Sequence, residues 1–106
     1  MDRRAFERIP VNMQARLFYG NMIYAGIVTD VSENGMFICT KMKFPVNAVL
    51  IAILREQGKT FSLPIKVRRT VTSHHFKDHD RSGLGVGLMS PPQGYITFIT
   101  AKKTSQ

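Results

Sequence analysis

Residues 11–30, VNMQARLFYGNMIYAGIVTD, decide the fold. Val11, Met13, Ala15, Leu17 and Tyr19 alternate with the mostly polar Asn12, Gln14 and Arg16, the period of two that marks a strand with one buried face. Gly20-Asn21 is a turn signal, so MIYAGIVTD returns as the second strand of a hairpin. Gly26 inside it predicts a bulge or a close backbone approach. Further along, GMFICT reads as a short third strand, KMKFPVN as a connection and AVLIAILRE as a nearly continuous apolar fourth strand. Gln57-Gly58-Lys59 turns the chain into a fifth strand, TFSLPIKVRRTVTS. GLGVGLMS is a sixth, and Pro91-Pro92 closes it. QGYITFITAKK then predicts a short terminal helix, with Tyr95, Ile96, Phe98 and Ile99 available for packing.

Six closely spaced strands joined by short turns, with one small helix at the end, predict an all-β chain. A six-stranded antiparallel barrel is the preferred architecture, because closure removes edge strands that invite aggregation. The βαβ alternation of a dinucleotide-binding fold is absent. A length of 106 residues supports one domain. Its expected parts are an arginine-rich arm at 1–10, a barrel at 11–90 and a helix with tail at 91–106.

The fifth strand breaks its own pattern. Phe61, Leu63, Ile65, Val67 and Val71 form one apolar face, and Arg69 falls on that face. Such a residue must reach the barrel mouth, find a partner or sit past a bulge. Arg69 is therefore a candidate ligand contact, able to stack on a planar base. Neighbouring Arg68 is expected to face outward.

Composition narrows the function classes. No apolar run is long enough to cross a bilayer, and MDRRAFER lacks the apolar stretch of a secretory signal. The lone Cys39 sits within MFIC and reads as a buried, inert thiol. Together these point to the cytoplasm. Fifteen Lys and Arg against seven Asp and Glu give a net charge of +8, a field that attracts polyanions. Nucleic acid, an anionic membrane surface and a phosphorylated small ligand all satisfy it.

Two short stretches carry chemistry. RRAFERIP, residues 3–10, sets three arginines around Phe6 ahead of the first strand. Pro10 and the short length oppose a helix, so a loose arm is expected. Guanidinium groups match phosphate oxygens in bidentate geometry and pair with the O6 and N7 acceptors of guanine. Alone, the run also fits a solvated basic terminus. DVSENG, residues 30–35, joins the second and third strands. Asp30 can accept from the N1–H and N2–H₂ donors of guanine, and Ser32 can donate and accept. Gly35 would permit a positive φ and a close backbone approach. Alone, this run also fits an ordinary hairpin turn.

Taken together, Arg-x-x-x-Arg before the first strand and Asp-x-Ser-x-x-Gly between the second and third resemble the PilZ domain family. The resemblance covers essentially the whole chain, and GLGVGL at 83–88 is similar to the family's Gly-rich last strand. It implies a six-stranded antiparallel barrel that acts as a bacterial receptor for cyclic di-GMP, without catalytic activity or cofactor. It also implies that Arg4 and Arg8 grip the ligand's phosphates and guanine Hoogsteen edges, while Asp30, Ser32 and Gly35 lie against a guanine. Arg3, immediately before the first motif arginine, accompanies binding of a stacked ligand dimer in the family. On this reading nucleotide orders the arm, and output passes to a separate protein partner or through self-association.

Other readings stay beside it. A small basic barrel could bind RNA or single-stranded DNA, but that needs surface aromatics interleaved with lysines, and Phe18, Tyr24 and Phe37 are scattered. A PilZ-like barrel could bind proteins alone, against which the intact motifs count. HHFKDHDRS places His75 and His79 four apart with Asp78 and Asp80, a spacing that could clamp zinc on a helix. Between two strands it reads as a solvated loop, and no metal is expected. No nucleophile–base pair stands in a setting suited to catalysis.

Overall fold

The computed structural model describes residues 8–72 and 82–104. Six strands follow one another: β1 (Ile9–Tyr19), β2 (Met22–Val31), β3 (Gly35–Cys39), β4 (Val49–Glu56), β5 (Lys59–Val71) and β6 (Gly83–Leu88). They close into an antiparallel barrel in the order β1-β2-β3-β6-β5-β4. The expected hairpin pairs Arg16 with Ala25 and Tyr19 with Met22 around Gly20-Asn21.

Alternation dictates which side chains fill the barrel. Met13, Ala15 and Leu17 of β1 and Leu63, Ile65 and Val67 of β5 are all buried, while Gln14 and Arg16 are exposed. The long apolar run of β4 does not contradict this. A barrel has one interior, so Leu50, Ala52 and Leu54 point inward, whereas Val49 and Ile51 remain exposed outside. The same pleat corrects the expectation for Cys39. Met36 and Ile38 take the inward positions of β3, and Cys39 falls on the outer face, half-buried.

Three register shifts bend the barrel: between Pro10 and Met13 of β1, between Val28 and Asp30 of β2, and between Val67 and Arg69 of β5. Each is a bulge that re-aims the side chains beyond it. The helix α1 (Gln93–Thr104) follows Pro91-Pro92, whose carbonyl at Pro92 accepts from the amides of Tyr95 and Ile96. Tyr95 and Ile99, four apart on one face, are fully buried. Tyr95 and Phe98 meet Phe61 of β5 at ring-centroid distances of 5.8 and 5.0 Å. Lys102 pairs with Glu56 at 3.3 Å, and Lys103 with Glu33 at 3.8 Å. The helix therefore sits at the end of the barrel formed by the β2–β3 and β4–β5 turns. Among the described residues, every buried side-chain nitrogen or oxygen has a hydrogen-bond partner.

Candidate ligand-binding cleft

The same end of the barrel holds a cleft of about 500 Å³, within the range of small-molecule sites. Its walls come from the residue before β1, the β2–β3 turn, β5 past its bulge and the outer face of β6. Arg8, Arg68 and Arg69 are its charged lining, with Ser32, Gly35, Gly85 and Gly87 as neighbours.

Arg8 stands one residue before β1 and reaches across to Asp30 on β2, because Ile9 and Pro10 pair with Val31 and Asp30. Its Nη2 lies 2.6 Å from Asp30 Oδ1, and its Nε donates to the same oxygen at 3.0 Å. Both nitrogens converge on Oδ1. Among the described residues, Oδ2 takes no partner. The two sequence motifs thus meet in one ion pair, with side chains 44% and 33% exposed. Asp30 stands behind Arg8 rather than on the cleft wall itself. Arg3 and Arg4 lie outside the described residues, as do His75, Asp78, His79 and Asp80.

Ser32 is buried and its hydroxyl is fully engaged. It accepts from the amides of Asn34 and Gly35 at 3.2 and 3.1 Å and donates to the Gly35 carbonyl at 3.4 Å. That uses the whole capacity of a hydroxyl, one donor and two lone pairs. The backbone of Ser32 is held as well: its amide donates to Gly35 O at 2.9 Å, and its carbonyl accepts from the buried Tyr95 phenol at 3.5 Å. Burial pushes the Tyr95 phenol above its ordinary pKa. Gly35 departs from expectation in one respect. Its φ is not positive. Glycine is needed for the close approach alone, since a Cβ there would come within 2.6 Å of the Val86 carbonyl.

Arg68 faces outward, as expected, but its place on the cleft wall was not foreseen. The bulge between Val67 and Arg69 breaks the alternation, so both arginines are exposed and both line the cleft. Arg69 is past a bulge, one of the three options its place on an apolar face left open. Arg68 and Arg69 lie flat across β6 because Gly87 and Gly85 carry no side chain. A Cβ on Gly87 would fall 2.6 Å from Arg68 Nε, and one on Gly85 would fall 2.9 Å from Arg69 Nε. The alternating glycines of GLGVGL therefore do two things: Leu84 and Val86 fill the core, and the bare outer face seats two guanidinium groups. That second use was the available signal, since two arginines on β5 face two glycines on its neighbour.

Comparison with known proteins bears on the family and the fold. The family model described as PilZ domain matches residues 2–96. No curated protein matches the sequence. The fold is similar to Bacillus subtilis MotI/DgrA, an inhibitor of motility, with TM-score 0.78 and 11% identity, covering 100% of this chain and 53% of that one. It is also similar to the PilZ domain of Escherichia coli YcgR with c-di-GMP, with TM-score 0.72 and 12% identity, covering 84% and 79%. A third likeness is the K. pneumonia MrkH–c-di-GMP complex, with TM-score 0.76 and 14% identity, covering 100% and 57%. The chain thus spans about half the length of MotI/DgrA and MrkH.

Proposed function

This chain belongs to the PilZ domain family, and from that premise we propose that it is a receptor module for cyclic di-GMP rather than an enzyme. The observation that carries the reading is the Arg8–Asp30 ion pair at the rim of an arginine-lined cleft. A cyclic dinucleotide presents two phosphates and two guanines, and these side chains complement both. Arg8, with Arg3 and Arg4 of the arm, takes phosphate oxygens and guanine O6 and N7. Asp30 accepts from guanine N1–H and N2–H₂ once Arg8 turns to the ligand. Ser32 and Gly35 act as positioning residues, since the serine hydroxyl is already satisfied and the glycine lets the turn lie against β6. Arg68 and Arg69 form the opposite wall, with planar faces suited to stacking on a purine.

Three described arginines exceed the two phosphate charges of one dinucleotide. That surplus supports two stacked ligands per domain, with Arg3 as a further contact. Ligand draws the arm's like charges onto one anion, and the ordered arm then presents a new surface to a separate protein partner in the cytoplasm. The β2–β3 turn is tied to α1 through Tyr95–Ser32 and Lys103–Glu33, so a shift at the cleft is also felt by the helix.

Isothermal titration with cyclic di-GMP, GTP and a short oligonucleotide tests the reading. Saturable heat with cyclic di-GMP at two ligands per chain is expected, with no comparable heat from the others. A stoichiometry of one removes the stacked dimer alone. Equal heat from the oligonucleotide overturns the receptor reading. Asp30→Ala is expected to narrow the preference for cyclic di-GMP over cyclic di-AMP, and equal losses for both would reject its guanine contact.

A further inference from the structure

Nucleotide binding uses one end of the barrel, employs five of the fifteen Lys and Arg and leaves the other ten unexplained. The other end is made by the β1–β2 turn, the connection at 40–48 and the first residue of β4. Met22 and Ile23 are 56% and 57% exposed there, and Val46 and Val49 are 53% and 49% exposed. Phe44 binds the two loops into one tip. It is buried between Tyr19 and Tyr24, each ring 5.3 Å away in an edge-on contact. The aliphatic side chains thus protrude from a packed base.

Among the described residues, the charge at this end has one sign. Lys41 and Lys43 are exposed on the connection, and Lys66 stands on β5 between Val49 of β4 and Gly87 of the cleft. The carboxylates among the described residues are Asp30, Glu33 and Glu56. All belong to the cleft end, and each is already bound to a cation.

We propose that this tip docks on an anionic lipid surface, with Met22, Ile23, Val46 and Val49 at the headgroup–acyl boundary and Lys41 and Lys43 on the phosphates. Apolar area leaving water drives such insertion, and each nearby lysine adds about 1 kcal/mol of attraction to an anionic leaflet. Shape favours lipid over a peptide, because the aliphatic side chains stand on a convex turn, whereas protein anchors fill pockets. A second copy would set Lys41 and Lys43 against their own kind. The proposal does not depend on what the cleft binds.

The test is co-sedimentation of the full chain with phosphatidylcholine vesicles, with and without phosphatidylserine. Binding only to the phosphatidylserine vesicles is expected, weakening as salt rises. Ile23→Ser with Val46→Ser is expected to cut partitioning by about tenfold or more. Lys41→Glu is expected to cut it several-fold, while Lys59→Glu, the same charge change at the cleft end, leaves it within about twofold. The sequence contains no tryptophan, so Met22→Trp reports insertion directly by a blue shift in emission on adding anionic vesicles. Circular dichroism checks that each variant is folded. Absence of binding, equal losses for Lys41→Glu and Lys59→Glu, or an unshifted indole emission from the Met22→Trp variant would each overturn the proposal. So would self-association, seen by ultracentrifugation, that Ile23→Ser removes while vesicles are ignored.

Discussion

At the cleft end of the barrel, Asp30, Glu33 and Glu56 each meet a cation, the Ser32 hydroxyl is saturated, and the Tyr95 phenol reaches a carbonyl. At the hairpin-tip end, Lys41 and Lys43 stand beside half-exposed aliphatic residues, and no described carboxylate belongs to that end. One end satisfies its polar groups internally and offers a shaped cavity. The other leaves charge and apolar area to be satisfied from outside. The difference separates two kinds of recognition. A small ligand needs fixed donors, held by neighbours such as Gly87 and Asp30. A fluid surface needs only protruding apolar area and mobile charge.

The largest expected contrast is in nucleotide affinity. Arg8→Ala is expected to lower cyclic di-GMP affinity roughly 10- to 150-fold, since a charge-assisted contact of this kind is worth roughly 1.5–3 kcal/mol. Ile23→Ser at the opposite end is expected to change it by less than about twofold. Titration of both variants decides the matter, and comparable losses would dissolve the distinction between the ends.

Glycine substitutions sharpen the picture within the cleft. Gly35→Ala drives a Cβ against the Val86 carbonyl, which cannot move cheaply, so a loss of about 1–3 kcal/mol of stability is expected. Gly87→Ala meets only the far end of the Arg68 side chain, which can swing aside. That variant is expected to keep its melting temperature and lose about tenfold in nucleotide affinity, close to 1.4 kcal/mol. Thermal melts paired with titrations separate the two outcomes. The reverse pattern would remove Arg68 from the binding wall.

A smaller effect concerns pH. Tyr95 has a folded-state pKa raised above that of the unfolded chain, because burial disfavours the phenolate. Its contribution is fully present below the ordinary tyrosine pKa of about 10. It is lost as pH rises beyond that value, by up to about 1.4 kcal/mol per pH unit while the unfolded chain ionises and the folded chain does not. Denaturant unfolding of Tyr95→Phe above that pH is expected to fall less steeply than that of the parent chain. Parallel curves would show that the phenol keeps contact with water. The smallest effect belongs to the tip, where Met22→Ser is expected to leave stability within about 0.5 kcal/mol, because nothing packs over that side chain.

The barrel was legible because β1, β2 and β5 alternate cleanly, and the turns at Gly20-Asn21 and Gln57-Gly58 fall where the patterns break. The position of Arg69 left three options, and the bulge between Val67 and Arg69 is the one realised. Period-two counting put Arg68 on the outer face, where it lies, but could not say that the bulge brings Arg69 to the same face, so that both line one cleft. Cys39 was misplaced because an apolar run conceals the pleat, and neighbours in sequence occupy opposite faces. The meeting of Arg8 with Asp30 was implicit in the motifs, yet no sequence pattern gives a distance. Exposure at the tip was hidden for the reason that exposed Val49 was. Hydrophobic residues read as core until closure of the barrel decides which side is inside.

The bond between Arg8 and Asp30 also sets a threshold. Nucleotide that recruits either side chain must first displace the other, so the strength of their mutual grip subtracts from the energy of association. An exposed pair of this kind is worth about 0.2–1 kcal/mol, which lifts the half-saturating dose by a factor of roughly 1.4 to 5. On the proposed reading, sensitivity is set by a contact that the nucleotide has to open.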